Sequence, residues 1–503
     1  MRQKLITSFF MLFLFQIGIS QNITGKIIDS KTDESLPYAN INVNQSENLV
    51  SNDEGYFTLS ESSSNDASVV IVSYLGYVNR QLTVGELKNL QNIIKLEPAV
   101  FEINEVNVSN VKPNANQIMA NVNANLANNY TGDGPAKKDM LFYRKSSAFK
   151  PSTLDVEIDK STGYTKNGLK AVNADLHNFT TKLIAQPPKE FTDILCNYYS
   201  VKTKKDNKPI VLAKLEVLKA IKLRNENRSA SLDDLDKMAS NIMLKHLDST
   251  KYYRVKSGLF GSHDTLSLRK DFKKKKIKQS QLNTSKSSLV AFIVENNFLN
   301  KTKLDFIRDT DSYEYEYQGT TFSNENEFVY VISFKPRRSK AIYTGKLYIS
   351  ETDYAVVRAD YVLEEGKKVS GLNMKFLLGI KVAENVSKGT IIYKKKPFGN
   401  GYYLHYASVE TGQYFYINRP LKFIELTDGE KDVVSLDMKV EGNTRDKTEF
   451  LNISRTETSE ATIEKVKEDD FSFTNLKSYD PSIWKNYSSI EPIEEMKQFK
   501  SVD

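Results

Sequence analysis

Along much of this chain, apolar residues stand in short runs that alternate with polar ones, each run closed by Gly, Asn, Asp or Pro. A period of two sends successive side chains to opposite faces of a strand, so such runs bury one sheet face and cannot supply a helical stripe. Runs at 23–29, 36–43, 56–59, 69–75, 93–96 and 106–108 follow one another at strand-and-turn spacing. They predict a seven-stranded β-sandwich over 22–109, with Gly55 in a positive-φ turn and the apolar run 69–75 buried on both faces. The pattern returns at 314–317, 328–334, 341–349, 355–363, 376–382, 390–393, 402–409 and 421–426. Asn400-Gly401 there is a type I′ hairpin signal. A large antiparallel meander is expected over 251–460, curved into a half-barrel or a big sandwich.

Helical spacing interrupts this pattern twice. After a linker at Lys112-Pro113-Asn114, residues Ile118, Met119, Val122 and Leu126 predict a helix ending near Asn128-Asn129, and 141–144 begins a strand. The stronger helix spans 231–247. Ser231 is its N-cap, acidic residues fill its first turn, and Lys245 and His246 close its last. The fold class is therefore mainly β with some α. The expected division is a leader at 1–20, a sandwich at 22–109, a linker and helix-containing α+β region at 110–250, a β-rich domain at 251–460 and a tail at 461–503. Trp484 is expected to dock that tail on the second β-domain.

The leader has a basic start at Arg2 and Lys4, an apolar run at 5–15 and small residues up to Ser20. That is the layout of a secretory signal peptide, too short to span a bilayer, and no later run is long enough either. An exported protein in the periplasm or on the outer membrane is expected, with no transmembrane span in the mature chain. Without Arg2 and Lys4 the 70 basic residues become 68 against 63 acidic ones, a net +5. The surplus gathers at 269–278 and 394–396. Lys273, Lys274, Lys275 and Lys276 are candidates for contact with an anionic lipid or polysaccharide, the plain alternative being a solvated loop. Nucleic acid is not an expected partner of an exported chain.

One cysteine, Cys196, excludes an internal disulfide and any multi-cysteine metal site. With no histidine pairing signalled nearby, it reads as a small buried hydrophobe. His246 is explained by its helix end. No metal or cofactor is expected, and no nucleophile-elbow or phosphate-loop motif occurs. A hydrolase using dispersed carboxylates remains the least favoured class.

The succession GKIID, LPYANINV, SNDEGYF, VSYLGY, IIKLEP and INEVNV resembles the carboxypeptidase-like regulatory domain, a transthyretin-like sandwich found at the N-termini of exported Bacteroidota envelope proteins. The resemblance implies a spacer or interaction module. A zinc peptidase would need Glu three residues after a histidine ligand, and His177, His246, His263 and His405 are followed at that position by Thr180, Ser249, Leu266 and Ser408. Asn129-Tyr130, Phe142-Tyr143-Arg144 and the segment around Trp484 resemble a group of Bacteroidota envelope proteins. The stretch VYVISFKPRRS…YTGKLYISETDYAVVRADYVL resembles the hairpins of periplasmic lipoprotein-carrier half-barrels. That likeness implies a sheltered cavity lined by Tyr330, Tyr343, Tyr348, Tyr354 and Tyr361, with Arg337 and Arg338 near a headgroup; a dry core is the alternative. The expected function is a non-enzymatic envelope binding or interaction protein, with envelope proteins, a lipid or a glycan as partner. A periplasmic carrier of a lipophilic ligand is its sharpest alternative.

Overall fold

In the computed structural model, the structure describes residues 22–99, 113–131, 134–205, 207–225, 230, 232–247, 250–257, 260–266, 280–300, 303–323, 327–484 and 486–501. The leader, the strand expected at 106–108 and Ser231 lie outside them.

The first unit comprises residues up to Ala99 together with Asp480–Ile493. Its strands are β1 (Ile23–Asp29), β2 (Asn40–Val43), β3 (Glu47–Val50), β4 (Tyr56–Leu59), β5 (Val69–Ser73), β6 (Arg80–Thr83) and β7 (Ile93–Leu96). They pair as two sheets, β4-β1-β7 and β3-β2-β5-β6, which is the expected seven-stranded sandwich. Ile27, Ile41, Phe57, Val70 and Ile94 fill its core. Strand β5 departs from expectation. It buries Val70 and Val72 while Val69 and Ile71 stay half-buried, because each sheet keeps one face toward solvent. Gly55 has φ +80°, and a Cβ there would stand 2.8 Å from the Ile27 carbonyl oxygen.

Trp484 corrects a second expectation, since its segment joins this first unit. The Asn52 amide donates to the Pro492 carbonyl (3.3 Å) and the Thr58 hydroxyl to Glu491. Backbone and carboxylate acceptors on that segment are thereby satisfied beside β4.

The second unit carries helices α2 (Ala115–Tyr130), α3 (Lys166–Ala185), α4 (Leu232–Lys245), α5 (Gln281–Glu295) and the single turns α6 (Asp305–Arg308) and α7 (Lys375–Leu378); α1 (Val84–Asn89) lies in the first. Its strands are β8 (Lys137–Ser161), β9 (Lys189–Lys205), β10 (Lys208–Arg224), β11 (Tyr253–Ser257), β12 (Phe260–Leu266), β13 (Tyr313–Phe322), β14 (Phe328–Pro336), β15 (Tyr343–Ser350), β16 (Val356–Leu363), β17 (Ser370–Met374), β18 (Ile380–Lys395), β19 (Tyr402–Glu425), β20 (Val433–Glu457) and β21 (Thr474–Leu476). They make one open sheet of 14 strands, not closed into a barrel. Its main path runs β13-β14-β15-β16-β18-β19-β20-β8-β9-β10-β21, antiparallel at every step but the last. The boundary expected at 250 falls inside this sheet, because β8 pairs with β20 from Lys137↔Glu457 to Ser161↔Val434.

Two local expectations give way here. Residues 376–382 are not one strand: α7 ends at Gly379 (φ +66°), and β18 begins only at Ile380. The hairpin at Asn400-Gly401 exists but is not a two-residue turn. Lys395 pairs with Tyr402, and the loop between them is closed by Lys396 N–H donating to the Gly401 carbonyl (2.9 Å). Helix α2 outlasts its expected end by a turn's fraction. It buries Ile118, Met119, Val122, Leu126 and Tyr130 against the sheet, and the Asn114 side chain caps its start. Among the described residues, no helix is long and apolar enough to cross a membrane.

Candidate functional site

Alternation on β8 puts Lys137, Asp139 and Leu141 on one face, the face on which α2 and α5 pack. On β20 the register places Arg455 directly opposite Asp139. Between this part of the sheet and α5 lies a cleft of about 340 Å³. Leu141, Phe450, Leu404 and Tyr393 line it from the sheet, and Val290 and Ile293 from α5. At its lip Val211 and Val294 are 60% and 57% exposed, so apolar surface continues outward.

The rim is basic, carrying Lys137, Lys202, Lys396 and Arg455. Asp139 accepts both arms of the Arg455 guanidinium, at 2.6 and 2.8 Å, and that guanidinium lies 4.1 Å over the Tyr403 ring. Lys396 donates to the Thr131 carbonyl at 3.0 Å. Lys137 differs. Among the described residues its ammonium makes no hydrogen bond or ion pair. Burial, with the charges of Arg455, Lys396 and Lys202, brings its pKa down to about 8, against the pull of Asp139. The tyrosine hydroxyls here face inward: Tyr393 donates to the Asn296 carbonyl (3.1 Å) and Tyr402 to Asp353 (2.9 Å). Burial pushes both phenols far above their ordinary range, so they offer ring surface and no nucleophile. The arrangement is an apolar trough ending in cations, suited to an anion on a hydrocarbon tail.

Of the residues singled out from sequence, Lys396 and Tyr130 line this cleft, but the candidate contact lysines and cavity tyrosines do not. Lys273, Lys274, Lys275 and Lys276 lie outside the described residues. Tyr343 and Tyr361 pack against each other (ring centroids 5.2 Å) and against Phe306 at 5.9 and 5.3 Å, as core. Tyr330 donates to Glu351 (3.2 Å), and Tyr348 sits under the Arg358 guanidinium at 5.9 Å. Arg337 is taken by the Asp311 carbonyl at 2.7 Å. Cys196 is fully buried, its thiol pushed up to about 12 by desolvation, beside the Leu141 carbonyl at 3.8 Å. His246 bonds Asp175 at 2.9 Å, and burial holds His405 well below the usual imidazole range. Among the described residues, no group of three or more His, Cys, Asp or Glu is placed to hold a metal. Asp139, not among the residues singled out from sequence, is a carboxylate next to the apolar run Met140-Leu141-Phe142.

With this geometry in hand, comparison adds one firm assignment. Residues 23–108 match the family model described as a CarboxypepD_reg-like domain. The first unit carries that domain. No curated protein matches the chain. Among solved structures, the MucA/MucB complex of Pseudomonas aeruginosa is similar at 7% identity and TM-score 0.16, covering 64% of this chain and 94% of that one. A DUF1329 family protein from Desulfovibrio piger is similar at 9% identity and TM-score 0.17, covering 65% and 92%. An outer membrane channel from Pseudomonas putida is similar at 8% identity and TM-score 0.11, covering 64% and 97%. Scores of this size assign no fold, so the second unit is defined by its own strand order.

Proposed function

We propose that this is a non-enzymatic binding protein of the cell envelope whose second unit takes an anionic amphiphile in the cleft between the sheet and α5. The observation that carries this reading is Lys137: a half-buried ammonium without a described partner, at the end of an apolar trough. A bound carboxylate or phosphate would restore the solvation that the ammonium has lost, while the tail covers Val290, Ile293 and Phe450. Each methylene withdrawn from water adds about 0.8 kcal/mol. Envelope placement rests on the leader read at 1–20 and on the CarboxypepD_reg-like domain, taken here as an interaction module.

The test is titration of the purified protein with cis-parinaric acid, a fluorescent fatty acid. Binding is expected, weakened about tenfold, ~1.4 kcal/mol, by Lys137→Gln and abolished by Ile293→Glu. The pH dependence has a definite sign. The free ammonium titrates near 8 and a bound anion raises that value, so affinity is level from about pH 6, where the probe's carboxyl is ionised, to about pH 8 and falls above it. Lys137→Gln should remove that fall. A probe that does not bind, or that binds both variants as well as the parent, would overturn the reading.

A further inference from the structure

A different part of the second unit leaves its apolar side chains open. Strand β17 pairs only with β18 among the described strands, and the turn between them is α7. On that turn Phe376 is 105% exposed and Leu377 81%, with Leu372 of β17 at 51%. Scattered apolar residues on a surface are ordinary; two adjacent large ones, fully exposed at the tip of a hairpin, are not.

What surrounds them defines the partner. Lys375 on α7 lies 4.1 Å over the Tyr416 ring, and Lys381 on β18 lies 5.3 Å over the Tyr414 ring. Arg419 runs beside Gly379, and Lys367 and Lys368 precede β17. Four carboxylates also stand near, Glu364 and Glu365 just before the lysine pair, and Glu384 and Glu441, whose described partners are neutral hydroxyls. Glu384 accepts from Ser370 (3.4 Å) and Glu441 from Tyr414 (2.6 Å). A bare apolar tip flanked by the ammonium groups of Lys375 and Lys381 fits a bilayer, which offers an acyl interior beneath an anionic headgroup layer.

We infer that the β17–α7–β18 tip docks on a bilayer surface bearing anionic lipid, with Phe376 and Leu377 entering the acyl boundary and Lys375 and Lys381 at the headgroups. This site is separate from the cleft, and its test does not depend on cleft occupancy.

The experiment is flotation of the full chain with vesicles of 7:3 phosphatidylcholine and phosphatidylglycerol, beside vesicles of phosphatidylcholine alone. Association with the anionic vesicles is expected, at least tenfold weaker with the neutral ones or in 0.5 M NaCl. Phe376→Ser with Leu377→Ser should reduce it tenfold or more. These side chains support no core, so the variant should keep its far-UV dichroism. Lys375→Glu with Lys381→Glu should remove the preference for anionic vesicles. No association of the parent chain, or equal flotation of the serine variant, overturns the inference. So does concentration-dependent dimerisation without lipid that the serine variant abolishes, because the occupant would then be a second copy of this chain.

Discussion

Arg144 and Asp193 stand opposite each other on β8 and β9, their side chains 3% and 0% exposed, joined at 2.7 and 2.8 Å. Burial alone would lower the guanidinium's pKa; Asp193, with Glu449 adding to it, keeps it above its ordinary value. Desolvating either ion alone costs several kcal/mol, so the two are stable only together. Arg144→Met or Asp193→Leu alone is therefore expected to cost about 3–5 kcal/mol in guanidinium unfolding. Combining them should recover most of that loss, because no buried charge is then left unpaired. If the double variant were as unstable as the sum of the singles, the pair would not be the interaction that matters.

Helix α1 shows what a few residues can hold at the scale of an element. Six residues are too few for a helix to persist alone, and this one is held by its start. Glu86 N–H donates to the Thr83 hydroxyl (3.2 Å), Thr83 N–H donates to the Glu86 carboxylate (2.7 Å), and Val84 and Leu87 are buried. Thr83→Ala is expected to cost about 1 kcal/mol, read as a lower midpoint of Trp484 emission, since that sole tryptophan is buried in the same unit. Length also decides what can be read from sequence. Helix α4, 14 residues with one apolar face, was legible; α1 was not, being shorter than two turns. Strand β10 escaped for another reason. The register of β10 shifts between Val217 and Lys219, so neither a two-residue nor a helical period runs through it. The cleft was hidden more thoroughly. Asp139 and Arg455 are 316 residues apart in sequence, and only the β8–β20 register makes them neighbours.

On the scale of the whole molecule, the chain does not finish one unit before beginning the next. Residues Asp480–Ile493 belong to the first unit, and Glu494–Asp503 to the second. There Phe499 packs on Phe191 (5.9 Å) and Glu495 pairs with Lys189. A CarboxypepD_reg-like domain matched over 23–108 is thus supplemented by a segment nearly 400 residues downstream, which the family match does not include. That segment is well buried, with Ile490 at 0% and Trp484 at 2% exposure. If it is part of the first unit's core, Ile490→Ala should cost about 2–5 kcal/mol, the usual range for truncating a buried isoleucine. The loss should appear as an earlier transition in Trp484 emission during denaturant unfolding of the full chain. An unchanged midpoint would mean that the segment only lies on the sandwich, and the domain would then owe its stability to residues 22–99 alone.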